Sequence, residues 1–173
     1  MNGFNLLAFF AYLLSVISYA TRFPKAFADP RKTLIVGTIL LVLGYGFLAT
    51  NKALSFNSKP DTFDDETKKK KKQILMLIGF GLLAIMFMFS FVIPLNFVVR
   101  FYDPFAAIGY SFLFLGTLLP KMVPIKIGQS IILIYYLIGG LFKIGDTELP
   151  EIGLMISRLL LALYNGAAIF LGH

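Results

Sequence analysis

The sequence predicts an all-α, polytopic integral membrane protein with about six transmembrane helices, five being the alternative count, in a compact bundle with short loops. Hydrophobic residues make up 58% of its 173 residues and charged residues only 14%. A soluble domain carries roughly 25% charged residues, and a domain of this size has too much surface for its volume to hide so many apolar side chains from water. Long apolar runs alternate with short polar segments, without the residue-by-residue alternation of a β-barrel. Residues 1–173 are therefore expected to form one transmembrane domain.

The first two helices are predicted over residues 4–20 and 33–50. The opening segment, MNGFNLLAFFAYLLSVISYA, has no basic residue ahead of its apolar stretch, so we interpret it as a retained helix. The alternative is a signal peptide, because SYA resembles a cleavage site. Asp29 and Pro30 precede the second helix, where Asp accepts hydrogen bonds from free N–H groups and Pro lacks only an unneeded donor. Residues 51–73 are expected to form a loop rich in acidic and basic side chains.

The third and longest helix is predicted over residues 74–99. Pro94 removes one backbone hydrogen bond near its end, so the helix should kink or stop early there. Asn96 follows as a polar candidate inside the apolar run. Arg100 and Tyr102 are expected to reach the lipid headgroups.

The last three helices are predicted over residues 104–119, 127–142 and 151–171, the first two being short for a membrane span. Asp103 and Pro104 mark a helix start. Pro120 and Pro124 stand too close together for one continuous helix, so they separate the fourth and fifth helices. Glycines within the spans are expected mainly to allow close helix packing inside this chain.

Basic residues are distributed unequally between the two ends of this predicted bundle. Nine lie on the side that carries both termini, namely Lys52, Lys59, Lys68–Lys72, Lys121 and Lys126. Six lie on the other side, namely Arg22, Lys25, Arg31, Lys32, Arg100 and Lys143. The positive-inside rule then predicts cytoplasmic termini, and the margin depends on the lysine run. The expected location is the bacterial inner membrane, with the mitochondrial inner membrane or another organelle as the alternative.

Five consecutive lysines precede the third apolar run: Lys68, Lys69, Lys70, Lys71 and Lys72. They adjoin a predicted span, no aromatic residue interrupts them, and acidic side chains stand directly before them. Those features argue against nucleic acid and favour anionic lipid headgroups, at about 1 kcal/mol per lysine near the surface. We interpret the run as an anchor that fixes the topology of the third helix.

Arg158 is the most informative residue of the last helix. Glu151, Arg158 and Asn165 recur every seven residues, which places them on one stripe of the helix. An intramembrane arginine costs about 2.5–3.5 kcal/mol on insertion scales, so it usually has a partner or faces water. Three interpretations stay open: a site for an ion, proton or anionic substrate, an arginine snorkelling towards the interface, and a pairing with a carboxylate of this chain or a partner subunit. Gln129 is a further intramembrane polar candidate, as is Asn96.

Aromatic residues are numerous, with 19 phenylalanines and 8 tyrosines and no tryptophan. This composition is expected from lipid-facing rings and interfacial belts. The chain has no cysteine and one histidine, which excludes disulfides, cysteine metal sites and a haem with two histidine ligands from this chain. No cofactor or metal site is predicted. No carboxylate lies deep inside an apolar run, which argues against a proton pump.

The function that these features favour is a non-catalytic integral membrane subunit or accessory protein of a larger assembly of the secretion, envelope or respiratory type. Short loops, small-residue helix faces and the lack of a catalytic set support this hypothesis. The alternative is a small transporter or channel with a polar site around Arg158 and Asn165, assisted by Gln129 and the break at Pro94 and Asn96. Expected partners are membrane lipids and other membrane subunits or further copies of the chain.

A lipid-active membrane enzyme is the third hypothesis. It would use Arg100, Tyr102 and Asp103 at the depth of the headgroups. Arg100 and Asp103 are closely spaced and of opposite charge, but exposed ion pairs of this kind are common and weak. We therefore expect an interfacial loop pair rather than a catalytic pair, and no enzyme activity.

Overall fold

A computed structural model describes residues 3–28, 30, 33–56, 65–92, 103–142, 144–145 and 147–171. Within these residues the chain is helical, with α1 (Gly3–Ala20), α2 (Phe23–Ala28), α3 (Thr33–Phe56), α4 (Asp65–Val92), α5 (Asp103–Leu118), α6 (Met122–Leu141) and α7 (Leu149–Leu171). Five stretches are long and apolar enough to cross a membrane, and the 16-residue α5 is a shorter sixth apolar helix. The predicted membrane-helical fold class is confirmed, with five long helices and one shorter one. The predictions for Pro94, Asn96, Arg100 and Tyr102 fall outside the described residues.

Several helices begin earlier or end later than their apolar runs. α4 starts at Asp65 rather than residue 74, and it includes the whole lysine run. Acidic residues at a helix N-terminus complement its dipole, and lysine is a good helix former, so the helix continues beyond the apolar run. α6 starts at Met122 and carries Pro124 in its first turn, where the missing N–H has no helical partner to lose.

The six-residue α2 was not predicted. It follows a turn in which the Arg22 amide donates a hydrogen bond to the Tyr19 carbonyl, and it packs against α3 through the fully buried Ala26. The rings of Phe23 and Phe27 stack with centroids 6.0 Å apart. Its sequence, FPKAFA, lies too close to the first apolar run to be distinguished by periodicity.

The six longer helices form a closed ring in chain order, and we call them the ring helices. Each of α1, α3, α4, α5, α6 and α7 packs against its neighbours in the sequence, and α7 returns to pack against α1. Consecutive ring helices run in opposite directions. The end that carries the start of α1, the end of α3, the start of α4, the α5–α6 connection and the end of α7 is called here the N-terminal face, and the other end the opposite face.

Serines join the first and last ring helices at the seam of the ring. Ser15 and Ser157 are both buried, and their hydroxyl groups are in contact. Ser157 donates to the Ala11 carbonyl at 2.9 Å, and Ser15 donates to the same oxygen at 3.1 Å. Hydroxyl donors to backbone carbonyls are a common way to join helices inside a membrane, because no water competes there.

Glycines allow neighbouring ring helices to approach closely. A Cβ added at Gly79 would lie 2.8 Å from the Leu48 side chain and 3.1 Å from the Gly44 carbonyl, so α3 and α4 depend on its absence. A Cβ at Gly128 would lie 2.8 Å from the Gly109 carbonyl, so the close approach of α5 and α6 also requires glycine at this position. At these positions the small residues serve packing within the chain, as expected.

The outer surface of the ring is apolar, whereas its interior is partly polar. Large apolar side chains such as Ile17, Leu43, Ile85, Ile134 and Phe170 are exposed, which suits a lipid environment. The buried polar residues of the described chain are Ser15, Ser18, Thr38, Asn51, Thr117, Gln129, Ser157 and Asn165. The polar side chains that could bind a ligand therefore lie mainly near the axis of the ring.

Candidate functional site

A column of polar and aromatic side chains fills the axis of the ring. We call it the interior column, and from the N-terminal face to the opposite face it contains Lys52, Asn51, Tyr164, Asn165, Gln129, Tyr12, Tyr110, Tyr136, Tyr45, Tyr19 and Arg158. These residues come from five of the ring helices, while α4 contributes the apolar Met76 and Phe80. No acidic side chain occurs among the buried residues of the described chain.

The seven-residue spacing of α7 explains its contribution to the column. Leu154, Leu161 and Asn165 are buried, so the stripe that they share faces the axis of the ring. Arg158 lies on this stripe, one turn after Leu154. The sequence pattern therefore correctly placed Arg158 and Asn165 on the same face, and the structure turns that face inwards.

Arg158 bonds only to neutral oxygens among the residues described. Its Nη1 donates to the Gly139 carbonyl at 3.4 Å and its Nη2 to the Tyr19 hydroxyl at 3.5 Å. Both distances exceed the 2.7–3.2 Å that is usual for such bonds. Helical side chains lean towards the helix N-terminus, and the Arg158 side chain accordingly extends towards the opposite face. The guanidinium thus retains donors that a stronger acceptor would satisfy better.

Gly139 provides the space for the Arg158 side chain. A Cβ at this position would lie 3.3 Å from Arg158 Cδ and 3.5 Å from its Nη1. The arginine therefore lies against bare backbone of α6. Gly46 on α3 is a useful contrast, because a Cβ there would meet no atom within 4 Å.

Glu151, the nearest acidic residue on the α7 stripe, pairs elsewhere. Its carboxylate accepts a hydrogen bond from Arg22 Nη2 at 2.5 Å, and the two side chains retain exposures of 21% and 12%. The Arg22 guanidinium also lies over the Tyr19 ring, 5.4 Å from its centroid. This ion pair closes the opposite face between α1 and α7. Among the described residues, Arg158 has no carboxylate partner, so the pairing that was one of its three interpretations is not found there.

Four tyrosines form a layer in the middle of the column: Tyr12, Tyr45, Tyr110 and Tyr136. The Tyr136 hydroxyl bonds to Tyr45 at 2.7 Å and also to Tyr110. The Tyr45 ring packs against Tyr12, with centroids 6.2 Å apart. It also stacks on Tyr19 at 5.7 Å, which leads to Arg158. The tyrosine layer therefore separates Arg158 from the polar groups nearer the N-terminal face.

A cavity of about 50 Å³ lies on the N-terminal side of the tyrosine layer. Its polar lining consists of Asn51, Lys52, Thr117, Gln129, Tyr164 and Asn165, with Tyr12 and Tyr110 at its inner end. Lys52 Nζ donates to the Tyr164 hydroxyl at 2.7 Å and lies 5.0 Å from the centroid of that ring. One cationic side chain, Lys52, is therefore present at the cavity.

The structure brings Gln129 and Asn165 together at this cavity and places Arg158 beyond the tyrosine layer. The Asn165 Nδ2 group donates to the Leu161 carbonyl at 2.7 Å, one turn back in α7. The sequence-derived polar site thus divides into two parts, each of which holds one cation. Lys52 was not among the site candidates, because it stands at the end of an apolar run, where a headgroup contact is the ordinary expectation.

The expected lipid-facing or interfacial position of the tyrosines was wrong for six of them. Tyr12, Tyr19, Tyr45, Tyr110, Tyr135 and Tyr136 are buried. An interfacial tyrosine stands near the end of an apolar run, whereas Tyr12, Tyr45 and Tyr110 stand near the middle of theirs. The position of these three tyrosines in their apolar runs was therefore the sequence feature that could have indicated their burial.

The lysine run lies in the first turns of α4. Lys69, Lys70 and Lys71 are exposed, while Lys68 and Lys72 are partly buried on one helix face. The Asn51 side-chain amide donates to the Lys72 carbonyl at 2.7 Å, which holds this turn against α3. Three lysines are thus presented outwards, where headgroup contact remains a prediction. Asp103 is the first residue of α5, and its predicted pairing with Arg100 falls outside the described residues.

Searches against family models, curated proteins and solved structures found no match to this chain. In the part of the chain that the structure describes, no three His, Cys, Asp or Glu side chains gather into a metal-binding group. Functional inference therefore rests on the interior column itself.

Proposed function

We propose that this protein is a small membrane transporter or channel that conducts small anions through the interior of its helical ring. The observation that carries the proposal is Arg158, a cation inside the ring whose only bonds among described residues are two long ones to neutral oxygens. An intramembrane cation without a carboxylate partner is costly, and such residues commonly mark ion or substrate pathways.

The charge of the interior favours anions over cations. Lys52 and Arg158 are the charged groups of the interior column, one on each side of the tyrosine layer. Burial in a medium of low dielectric strengthens the field of each charge. A cation would meet repulsion on both sides of this layer, whereas an anion would find a donor-rich site on each.

The tyrosine layer supports a gated rather than an open pathway. Tyr45, Tyr110 and Tyr136 are almost fully buried and linked by their hydroxyl groups, so they fill the axis between the two cations. Transport would require these rings to move. Phenolic hydroxyls can donate to a passing anion, so the barrier itself offers polar contacts.

The direct test is anion flux into vesicles reconstituted with purified protein. Vesicles loaded with a chloride-quenched dye should report chloride entry well above protein-free vesicles. Arg158→Gln should lower the rate about tenfold or more, because a hydrogen bond to a charged group contributes roughly 1.5–3 kcal/mol. Lys121→Gln makes the same charge change at an exposed position between α5 and α6 and should leave the rate unchanged.

A second variant separates the role of the guanidinium from a folding defect. Gly139→Ala introduces a methyl group 3.3 Å from Arg158 Cδ and displaces the side chain while keeping its charge. We expect an intermediate loss of flux, with Gly46→Ala unchanged. Wild-type vesicles that take up no more chloride, nitrate or formate than protein-free vesicles would contradict the proposal.

A membrane-assembly subunit, the function first favoured by the sequence, stays a second candidate. The observation that favours it is an outward-facing apolar groove of about 530 Å³ lined by Met88, Ala107, Ile108, Ser111, Phe112 and Leu115. The groove runs along α5, the shortest ring helix, where a neighbouring protein helix could cover a thin part of the bundle. Stoichiometric co-purification of unrelated membrane proteins in mild detergent would favour this candidate, whereas recovery of this chain alone would favour transport.

We propose a bacterial inner membrane location with both termini in the cytoplasm. The proposal is supported by the excess of described basic residues on the N-terminal face, including the exposed Lys69–Lys71. These lysines would contact anionic headgroups on that side. The cavity beside Lys52 would then lie nearer the cytoplasm, and Arg158 would lie nearer the external side.

A further inference from the structure

We infer that the cavity on the N-terminal side of the tyrosine layer is a binding site for a small monovalent anion of the size of nitrate, bromide or formate. The inference deepens the proposed transport function and rests on it for its physiological meaning. Its ligand-binding groups are Lys52, Gln129, Tyr164 and Asn165, and Arg158 takes no part in it.

Gln129 supplies the observation that points to a ligand. This residue is only 8% exposed and lines the cavity, yet its side chain has no hydrogen bond to any residue that the structure describes. Every fully enclosed side-chain N or O atom of the described chain has a hydrogen-bond partner. Because the Gln129 amide has none, its polar atoms cannot be fully enclosed by protein, and they face the space of the cavity that Gln129 lines. A polar group that is directed into a small enclosed space requires something there to bind.

Several side chains around this space carry hydrogen-bond donors that remain available to a ligand. The Lys52 ammonium has three N–H groups and no acceptor, and one of them is used by Tyr164. Because the Tyr164 oxygen accepts that bond, its own O–H remains available to donate. Asn165 uses one amide hydrogen on the Leu161 carbonyl and retains a second. With Gln129, four side chains can each donate to one bound species.

Charge and size define the class of ligand. Lys52 contributes a positive charge, and no acidic side chain of the described residues lines the cavity to balance it. A space of about 10–15 Å³ admits one water, so a cavity of about 50 Å³ admits a small ion with little accompanying water and excludes bulky organic anions. Leu48, Leu113 and Ile132 in the lining disfavour a strongly hydrated multivalent anion, because its hydration shell could not be replaced there.

Equilibrium binding tests this site independently of transport. The purified protein in detergent is titrated with sodium nitrate at constant ionic strength maintained with sodium gluconate, and Kd is obtained from the rise in melting temperature. Gln129→Leu should raise Kd about tenfold, the usual effect of losing one hydrogen bond to a charged ligand. Gln73→Leu is the matched control for the loss of an amide, because the Gln73 amide donates to the Thr117 backbone carbonyl at 3.0 Å and does not line the cavity, and its Kd should match wild type.

The outcomes separate this inference from the proposed function. Saturable nitrate stabilisation that weakens in Gln129→Leu supports the site, even when vesicles show no flux and the transport proposal fails. The site is overturned by an absence of stabilisation beyond that of gluconate, which would leave the cavity to water alone. It is equally overturned by a Kd in Gln129→Leu that matches wild type, even when the vesicles conduct anions. A raised Kd in Lys52→Gln with an unchanged Kd in Lys121→Gln would show that the Lys52 ammonium supplies the positive charge of the site.

Discussion

Replacing Gly128 with alanine should weaken the ring at the contact between α5 and α6. The new Cβ would lie 2.8 Å from the Gly109 carbonyl oxygen and 3.0 Å from the Leu113 amide nitrogen, both of them backbone atoms. Ordinary contact begins at 3.4 Å, so the two helices must separate by about half an ångström. Overpacking of this kind costs about 1–3 kcal/mol.

The matched control is Gly46→Ala, because a Cβ at Gly46 meets no atom within 4 Å. Alanine is favoured over glycine in a helix by about 1 kcal/mol, so this variant should be as stable as wild type or slightly more stable.

Thermal unfolding of the detergent-purified variants, followed by circular dichroism, provides the measurement. A chain of this length loses roughly 2–4 °C of melting temperature per kcal/mol, so Gly128→Ala should melt about 2–12 °C lower than wild type. The reasoning would be refuted by a Gly128→Ala protein as stable as Gly46→Ala. That result would mean that the two backbones do not approach as described.

Three further predictions concern the two faces and the tyrosine layer. Glu151→Gln removes the negative charge of the ion pair with Arg22 and should destabilise the fold by about 1–3 kcal/mol, between the values for exposed and buried pairs; an unchanged melting temperature would count against a structural role for the pair. Tyr136→Phe removes the hydroxyl that serves both Tyr45 and Tyr110, so it should cost about 1 kcal/mol and exceed the effect of Tyr110→Phe; equal melting temperatures would argue against a three-hydroxyl chain. Changing Lys68–Lys72 to glutamine should mix the orientations of the protein, as mapped by single introduced cysteines in this naturally cysteine-free chain; an unchanged loop accessibility would defeat the anchoring interpretation.

The membrane class and the number of ring helices were predictable because apolar runs leave few alternatives in a lipid solvent. Helix ends were less predictable, because hydropathy indicates the part of a helix that lies in the membrane and not the helical residues that extend beyond it. α4 continues outwards to Asp65 because lysine and acidic residues support helix where lipid is no longer required. The sequence therefore located each span better than it located the helix that contains it.

The candidate site was predictable only in part. The repeat of Arg158 and Asn165 on α7 indicated the inward face, because residues seven apart share a face of any helix. The proximity of Gln129 to Asn165 depends on how α6 and α7 pack, which no local pattern contains. Tyrosine is compatible with lipid, interface and interior alike, so residue type alone did not reveal the layer around Tyr136.

The closure of the ring by α7 has a consequence for biogenesis. Each ring helix from α3 to α6 can pack against its predecessor once both have been made, but the contact of Ser157 with Ser15 and the Ala11 carbonyl has to wait for α7, the last of the described helices to be made. Until then α7 does not cover the inward faces of α1 and α6, which carry Tyr12 and Gln129. The nascent chain would therefore present polar groups sideways to lipid or to the insertion machinery. The step most vulnerable to misassembly should thus be the final one, in which the two ends of the helical series meet.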